Sequence, residues 1–243
     1  MKTAWFEFDE RLVPLLGRSR RSGAFEYAFS GPQSVKHLIE SLGIPHTEIG
    51  GVHCGPYRVD LAYQVRDGDE IRVQSVAASP RPDEEPRFAL DGHLGRLNSS
   101  LRMLGFDCLY ESGFEDQELA GLAAAEDRYL LTRDRRLLMR KSVTRGYLVR
   151  SLDPNEQLIE VTRRFALAGM FQPFRRCIRC NALLQRVDKE TVLDRLQPLT
   201  RRYFNAFHIC PHCGQIYWKG SHVERMLQAI DRLNLASGED AAA

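Results

Sequence analysis

The chain has 243 residues, 43% hydrophobic and 27% charged, with 34 Lys and Arg against 32 Asp and Glu for a net charge of +2. This composition suits a soluble protein of one large domain or two smaller ones, and no apolar run reaches the length of a membrane span. A balance so close to neutral excludes a wholesale polycation, so affinity for nucleic acid must come from local clusters. The N-terminal stretch MKTAWFEFDERLVPLL carries acids inside its apolar part and no small-residue cleavage site. It does not read as a secretory signal, and a cytoplasmic protein is expected.

Residues 1–78 read as a small α+β domain. Lys2 to Phe8 and Ala24 to Phe29 alternate apolar and polar residues, as half-buried strands do. Ser34 opens a short helix through Val35, Leu38, Ile39 and Leu42, stopped by Gly43 and Pro45. Further strands are expected over Glu48 to Val52, Tyr57 to Ala62 and Ile71 to Val76, the last introduced by the turn Asp67-Gly68-Asp69. This order, closing on DGDEIRVQSV, resembles a β-grasp domain of the ubiquitin or sulfur-carrier type. Carriers of that type use a free Gly-Gly terminus, whereas here the strand runs on into Ala77-Ala78-Ser79-Pro80. The domain is therefore expected to bind or position RNA, a protein partner or the neighbouring domain, and its deletion to leave chemistry detectable.

Residues 79–87, SPRPDEEPR, form a linker, extended by three prolines and denied a core by its charges. Phe88-Ala89-Leu90 then reads as a short buried strand ending at Asp91-Gly92. Leu94, Leu97, Leu101 and Leu104 recur at helical spacing, with Arg96 and Arg102 off the apolar stripe and Gly105 as a stop. Glu115-Asp116-Gln117-Glu118 begins a second helix running through Leu119, Leu122 and Ala123. Tyr129 to Thr132 is a second buried strand, ending at Arg133-Asp134.

Ligands of α/β sheets collect beyond the carboxyl ends of parallel strands. Asp91 and Asp134 fall at two such ends, and Asp116 falls at a helix start between them. Mg²⁺ or Mn²⁺ takes oxygen ligands from one or two carboxylates and completes its shell with water and substrate phosphate. Two such ions about 3.5–4 Å apart activate a water and stabilise the leaving oxygen of an in-line displacement. Asp91, Asp116 and Asp134 are the candidate catalytic ligands, with Glu118 in reserve. Each also has a plainer reading as a turn or capping residue. Arg96, Arg133, Arg135 and Arg136 are candidate contacts for RNA phosphates, within a run of basic residues that continues through Arg150.

Gly146 to Ser151 reads as another strand, and Asp153-Pro154 as a helix start that also offers a fourth carboxylate. A helix follows from Glu156 through Leu158, Ile159, Val161 and Phe165. Of six cysteines, Cys177, Cys180, Cys210 and Cys213 form two CxxC pairs, while Cys54 and Cys108 stand apart and are assigned to packing. In a cytosolic chain the paired CxxC elements point to a four-thiolate structural zinc rather than to disulfides, with an insertion near Leu183 to Leu199. Tyr217 and Trp218 either stack on unpaired bases or pack the ribbon, and His222 is a candidate phosphate contact. A polar, Ala-rich tail closes the chain at 236–243.

The segments LDGHLGRLNSSLRMLGFD, Asp116 with Leu119, LLTRDRRL, Glu156-Gln157-Leu158, the CxxC pairs and IYWKGSH together resemble the Mut-seven C-terminal family of PIN-like ribonucleases. The resemblance spans about Phe88 to Leu227. It implies an α/β PIN-like domain with a mainly parallel sheet over 88–170, divalent-metal RNA cleavage at Asp91, Asp116 and Asp134, and a C-terminal zinc ribbon with a helix over 171–235. Two other readings are a non-catalytic RNA- or ribosome-binding adaptor and a small-molecule phosphatase or nucleotidase. Which RNA is cleaved, endo- or exonucleolytic action and oligomeric state are not legible in the sequence.

Overall fold

A computed structural model describes residues 1–77, 85–220 and 228. Linker residues 79–84, His222, most of the C-terminal helix and the tail lie outside the described residues. In chain order the elements are β1 (Lys2–Phe8), β2 (Ala24–Phe29), α1 (Val35–Ser41), β3 (Ile49–Cys54), β4 (Tyr57–Val59), β5 (Glu70–Ser75), β6 (Phe88–Leu90), α2 (Gly95–Met103), β7 (Cys108–Leu109), α3 (Asp116–Ala125), β8 (Tyr129–Thr132), α4 (Arg135–Leu138), β9 (Gly146–Leu148), α5 (Pro154–Arg164), β10 (Gln185–Val187), α6 (Lys189–Val192), α7 (Pro198–Tyr203), β11 (Phe207–Ile209) and β12 (Ile216–Trp218). They fall into two compact units, Met1–Ala77 with Glu115–Leu148, and Ala78–Phe114 with Val149–Ala243.

In the first unit β1 buries Ala4, Phe6 and Phe8 and exposes Trp5 and Glu7, the two-residue period of a sheet with one wet face. Five strands run in the order β2-β1-β5-β3-β4. At the centre β1 lies parallel to β5, with Phe6 opposite Ile71, and antiparallel to β2, with Phe6 opposite Phe25. A parallel neighbour needs a crossover, and the chain between β1 and β5 carries α1. Ser34 accepts the His37 amide at 3.3 Å to cap that helix. Gly43 follows its end with φ of +95°, the left-handed conformation glycine adopts without penalty. This is the ubiquitin-like topology expected from the sequence.

The remainder of this unit holds α3, β8, α4 and β9. Strands β8 and β9 pair in parallel, Leu131 opposite Tyr147. Leu130, Leu131 and Thr132 are buried with all of β9, the unbroken apolar run of strands covered on both faces. The strand ends at Leu148, three residues short of the expected end at Ser151. Polar contacts join this part of the unit to the ubiquitin-like part. Leu148 N donates to Glu48 Oε1 at 2.8 Å, and Glu48 is only 5% exposed. His46 sits between Glu40 Oε1 and the Val143 carbonyl, both at 2.7 Å. Arg135 Nη1 donates to the carbonyls of Leu15, at 2.7 Å, and Gly43, at 3.3 Å.

In the second unit β6 is wholly buried and pairs in parallel with β7, Phe88 opposite Cys108. The short β7 was not anticipated. Around Phe88 stand Phe165, with ring centroids 5.2 Å apart, and Phe106, at 6.0 Å. Helices α2 and α5 pack on each other through Leu97, Leu101, Leu158 and Val161. Antiparallel β10-β11-β12 form a three-stranded sheet over a small core of Val192, Leu196, Phe207 and Ile216. Between β10 and β11 the insertion supplies α6 and α7, so it begins in a strand and runs on past Leu199 to Tyr203.

Candidate functional site

Each candidate carboxylate is placed by the end of a regular element. Asp91 directly follows β6 and is half-buried, with Oδ1 3.4 Å from the His93 amide it accepts. The turn after it is held from the other side, since Tyr110 donates to the Gly92 carbonyl at 3.0 Å. A Cβ on Gly95 would stand 2.6 Å from the Tyr110 hydroxyl, so any larger residue there must displace that hydroxyl. Asp91 belongs to the second unit and Asp116 and Asp134 to the first.

Asp134 lies two residues beyond β8 and caps α4, its Oδ1 accepting the Arg136 amide at 2.7 Å. Its own amide donates to Thr132 Oγ1 at 2.9 Å, which fixes the path out of the strand. Asp116 is the first residue of α3, with Glu115 in the capping place, and its Oδ2 is 3.6 Å from Arg140 Nη2. Glu118 is exposed in the same first turn. Asp153 accepts the amides of Asn155 and Glu156, at 2.8 and 3.2 Å, as the cap of α5. Of the arginines, Arg96, Arg133 and Arg136 are exposed, while Arg135 is engaged with two backbone carbonyls.

The four cysteines do converge. The sulfur atoms of Cys177, Cys180, Cys210 and Cys213 all lie within 4.8 Å of one another. Cys177 and Cys213 are 3.5 Å apart, and Cys180 and Cys210 are 3.4 Å apart. A tetrahedral ion with sulfur ligands about 2.3 Å away fits such a cluster, and soft thiolates are the donors zinc prefers. Hydrogen bonds favour the thiolate at one of the four, Cys177. Burial raises the Cys177 thiol, but the Tyr217 hydroxyl, the Cys180 amide and the neighbouring thiols outweigh it and bring its pKa down to about 6. Burial pushes Cys180 up to about 12. Tyr217 accepts the Ile178 amide at 3.1 Å, which leaves its proton for Cys177 Sγ, also at 3.1 Å. The sequence named Tyr217 as a stacking or packing residue; its hydroxyl serves the cysteine cluster.

The first CxxC turn is also built into the body of its unit. Arg102, expected off the apolar stripe, is 5% exposed. Its guanidinium donates to the carbonyls of Cys108, Ile178 and Arg179 at 2.8–3.2 Å. Burial lowers its pKa, and nearby thiols oppose that shift. Asn181, at φ of +66°, accepts the Cys108 amide at 3.2 Å and donates to Asp107 at 2.9 Å. Cys108 itself is fully buried, and Cys54 Sγ lies 3.5 Å from the Tyr63 hydroxyl, so both pack as expected. No helix among the described residues is long and apolar enough to cross a membrane.

A ubiquitin-like fold followed by parallel α/β strand pairs and a four-cysteine centre defines a two-part architecture, and family models match both parts. The model described as Mut7-C ubiquitin matches residues 1–80, and the model described as Mut7-C RNAse domain matches residues 86–230. The second match covers more than half of the chain, which therefore belongs to the Mut7-C RNAse domain family. No curated protein and no solved structure matches significantly.

Proposed function

We propose that the protein is a divalent-metal-dependent ribonuclease in which Asp91, Asp116 and Asp134 hold Mg²⁺ or Mn²⁺. The observation that carries this reading is the ribonuclease-domain match over residues 86–230, which contains all three carboxylates. Carboxylate oxygens are the ligands hard cations prefer, while among the described residues the group of metal-ligating side chains drawn close enough to share an ion is the four cysteines. Bound by the three carboxylates, the ion supplies Lewis-acid stabilisation of the scissile phosphate and an activated water. The chain's own residues hold the substrate: exposed Arg96, Arg133 and Arg136 engage phosphate oxygens and so fix register without reading sequence. The Arg136 amide, donated to Asp134 Oδ1, holds that carboxylate in one orientation.

In the same proposal Cys177, Cys180, Cys210 and Cys213 hold a structural zinc, the ubiquitin-like part is a contact for RNA or a protein partner, and the protein works in the cytoplasm. Domain boundaries near 78, 87, 170 and 235 belong to it as well.

The test is incubation of the purified chain with RNA, with and without added Mn²⁺. Cleavage is expected only with the ion, and Asp91→Asn should lower it at least about 100-fold while RNA still binds. Intact RNA in the presence of Mn²⁺, with zinc bound and the chain folded, overturns the assignment. Cleavage of mononucleotide phosphates but not of RNA would move it to the phosphatase reading.

A further inference from the structure

Beside the four-cysteine centre lies a cavity that the acidic residues do not use, with Cys213 of the centre in its wall. Its volume is ≈ 280 Å³, near the lower end for small-molecule sites. Arg179, Arg195, Gln197, Gln215, Ile216 and Trp218 are among the residues that line it. All belong to the ribbon and its insertion. Arg195 Nη2 donates to the Gly214 carbonyl at 2.5 Å, and Arg179 Nη1 lies 3.4 Å from Gln215 Oε1. Both guanidiniums are thus oriented across the second CxxC turn, and both residues remain exposed to an incoming anion. Trp218 is anchored by Phe204 and Phe207, with ring centroids 6.3 and 6.4 Å away.

We propose that this cavity binds one nucleotide of a single-stranded RNA, the arginines taking its phosphate and Trp218 its base. The chemistry divides by residue. Arginine forks match phosphate oxygens two at a time, and an anchored indole offers a flat face for a base of any identity. Gln197 presents a carboxamide, which both donates and accepts and so suits a base edge, while Gln215 is held by Arg179 and the Ile216 carbonyl. Leu196 and Ile216 supply apolar floor. A carboxylate ligand would use the arginines but leave the indole and the Gln197 carboxamide without a role. The proposal rests on the ribonuclease reading for its choice of polymer, and it places a second grip on the substrate apart from Asp91, Asp116 and Asp134.

A plainer account is that Arg179 and Arg195 only balance the charge of four metal-bound thiolates, and the experiment separates the two. The zinc-loaded full chain is titrated, without added Mg²⁺ or Mn²⁺, with 5′-nucleoside monophosphates and with a 2′-O-methyl oligonucleotide that resists cleavage. Tryptophan fluorescence and anisotropy are read. Binding should quench fluorescence, and Arg179→Ala with Arg195→Ala should weaken it at least tenfold while zinc content stays at one per chain. Trp218→Phe should weaken it several-fold and remove most of the quench.

Should the arginine variants lose zinc, Gln197→Ala, which lies outside the CxxC turns, takes their place with the same expected loss. No binding of either probe, or equal binding by the zinc-loaded variants, overturns the proposal. The Asp91→Asn protein separates the two readings: it should bind the oligonucleotide like the parent chain while failing to cleave RNA. Retained binding in a parent chain that never cleaves would remove the nuclease and leave the pocket.

Discussion

The Tyr110 hydroxyl donates to the Gly92 carbonyl across 3.0 Å, tying the end of β7 to the turn that follows Asp91. Gly95 passes so close to that hydroxyl that an added methyl would sit 2.6 Å from it. Alanine ordinarily favours a helix over glycine by about 1 kcal/mol. Here the methyl would displace the Tyr110 hydroxyl and with it the hydrogen bond to Gly92, worth about 1 kcal/mol, which offsets that gain. Gly95→Ala is therefore expected to change stability in urea by less than about 1 kcal/mol and to slow RNA cleavage, because the turn holding Asp91 loses its tie to Tyr110. Tyr110→Phe should cost only about 1 kcal/mol, the worth of one hydrogen bond.

Arg102 predicts a larger effect. Its guanidinium is the partner of three carbonyls, one on β7 and two in the first CxxC turn. Arg102→Leu leaves those acceptors short of donors at a buried site, a loss of roughly 3 kcal/mol or more. Lysine should not rescue it, since a single ammonium cannot reach three carbonyls as the planar fork does. Chemical denaturation measures the loss, and a chelator competition should show faster release of zinc from the variant.

Removing one oxygen from Tyr217 tests the cysteine centre more gently. Tyr217→Phe takes away both the donor to Cys177 and the acceptor for the Ile178 amide. Outer partners of this kind typically tune metal affinity by about 10–100-fold. A drop in that range, measured by competition with a zinc indicator while circular dichroism is unchanged, is the expected result. Unchanged affinity would mean the hydroxyl only packs.

Glu48 carries a prediction for the ubiquitin-like part. Its carboxylate accepts the buried amide of Leu148 in β9. Glu48→Ala should destabilise the chain by about 1–3 kcal/mol, the cost of an unpaired buried donor, and Glu48→Gln by less because an acceptor remains. Deleting residues 1–80 removes Glu48 together with the partners of Arg135 and Val143. The shortened chain is expected to be less soluble and less stable, by light scattering and thermal melting, as well as altered in RNA affinity. If it melts like the full chain, these contacts contribute little.

Metal removal gives a fifth check. Stripping zinc with a chelator should loosen the ribbon and, through Arg102 and Asn181, lower the melting temperature of the unit that contains β6. A centre joined only by a flexible tether would leave that melting temperature unchanged.

Much of this fold was legible in the residues because it follows from local pattern. Strands β1, β2, β6 and β8 fall where alternation or short apolar runs place them, and α1 and α5 open at the Ser34 and Asp153 caps. Two CxxC pairs announce a metal centre by spacing alone. Strand β7 escaped because Cys108-Leu109 is two residues long, too short to show a period. Arg102 escaped because helical spacing reports which residues are apolar, not where a charged side chain finds enough carbonyls to be buried.

Elements such as β1, β6, β8, α1 and α5, the candidate carboxylates and the paired cysteines were thus determined by the sequence itself, since each is written in the spacing of a few neighbouring residues. Which polar groups serve which site was decided only by the tertiary structure: Tyr217 on Cys177, Arg102 on the first CxxC turn, Glu48 on Leu148. Those pairings join residues 40, 76 and 100 positions apart. No local pattern encodes them, because their strength comes from burial and geometry that exist only once the chain has folded.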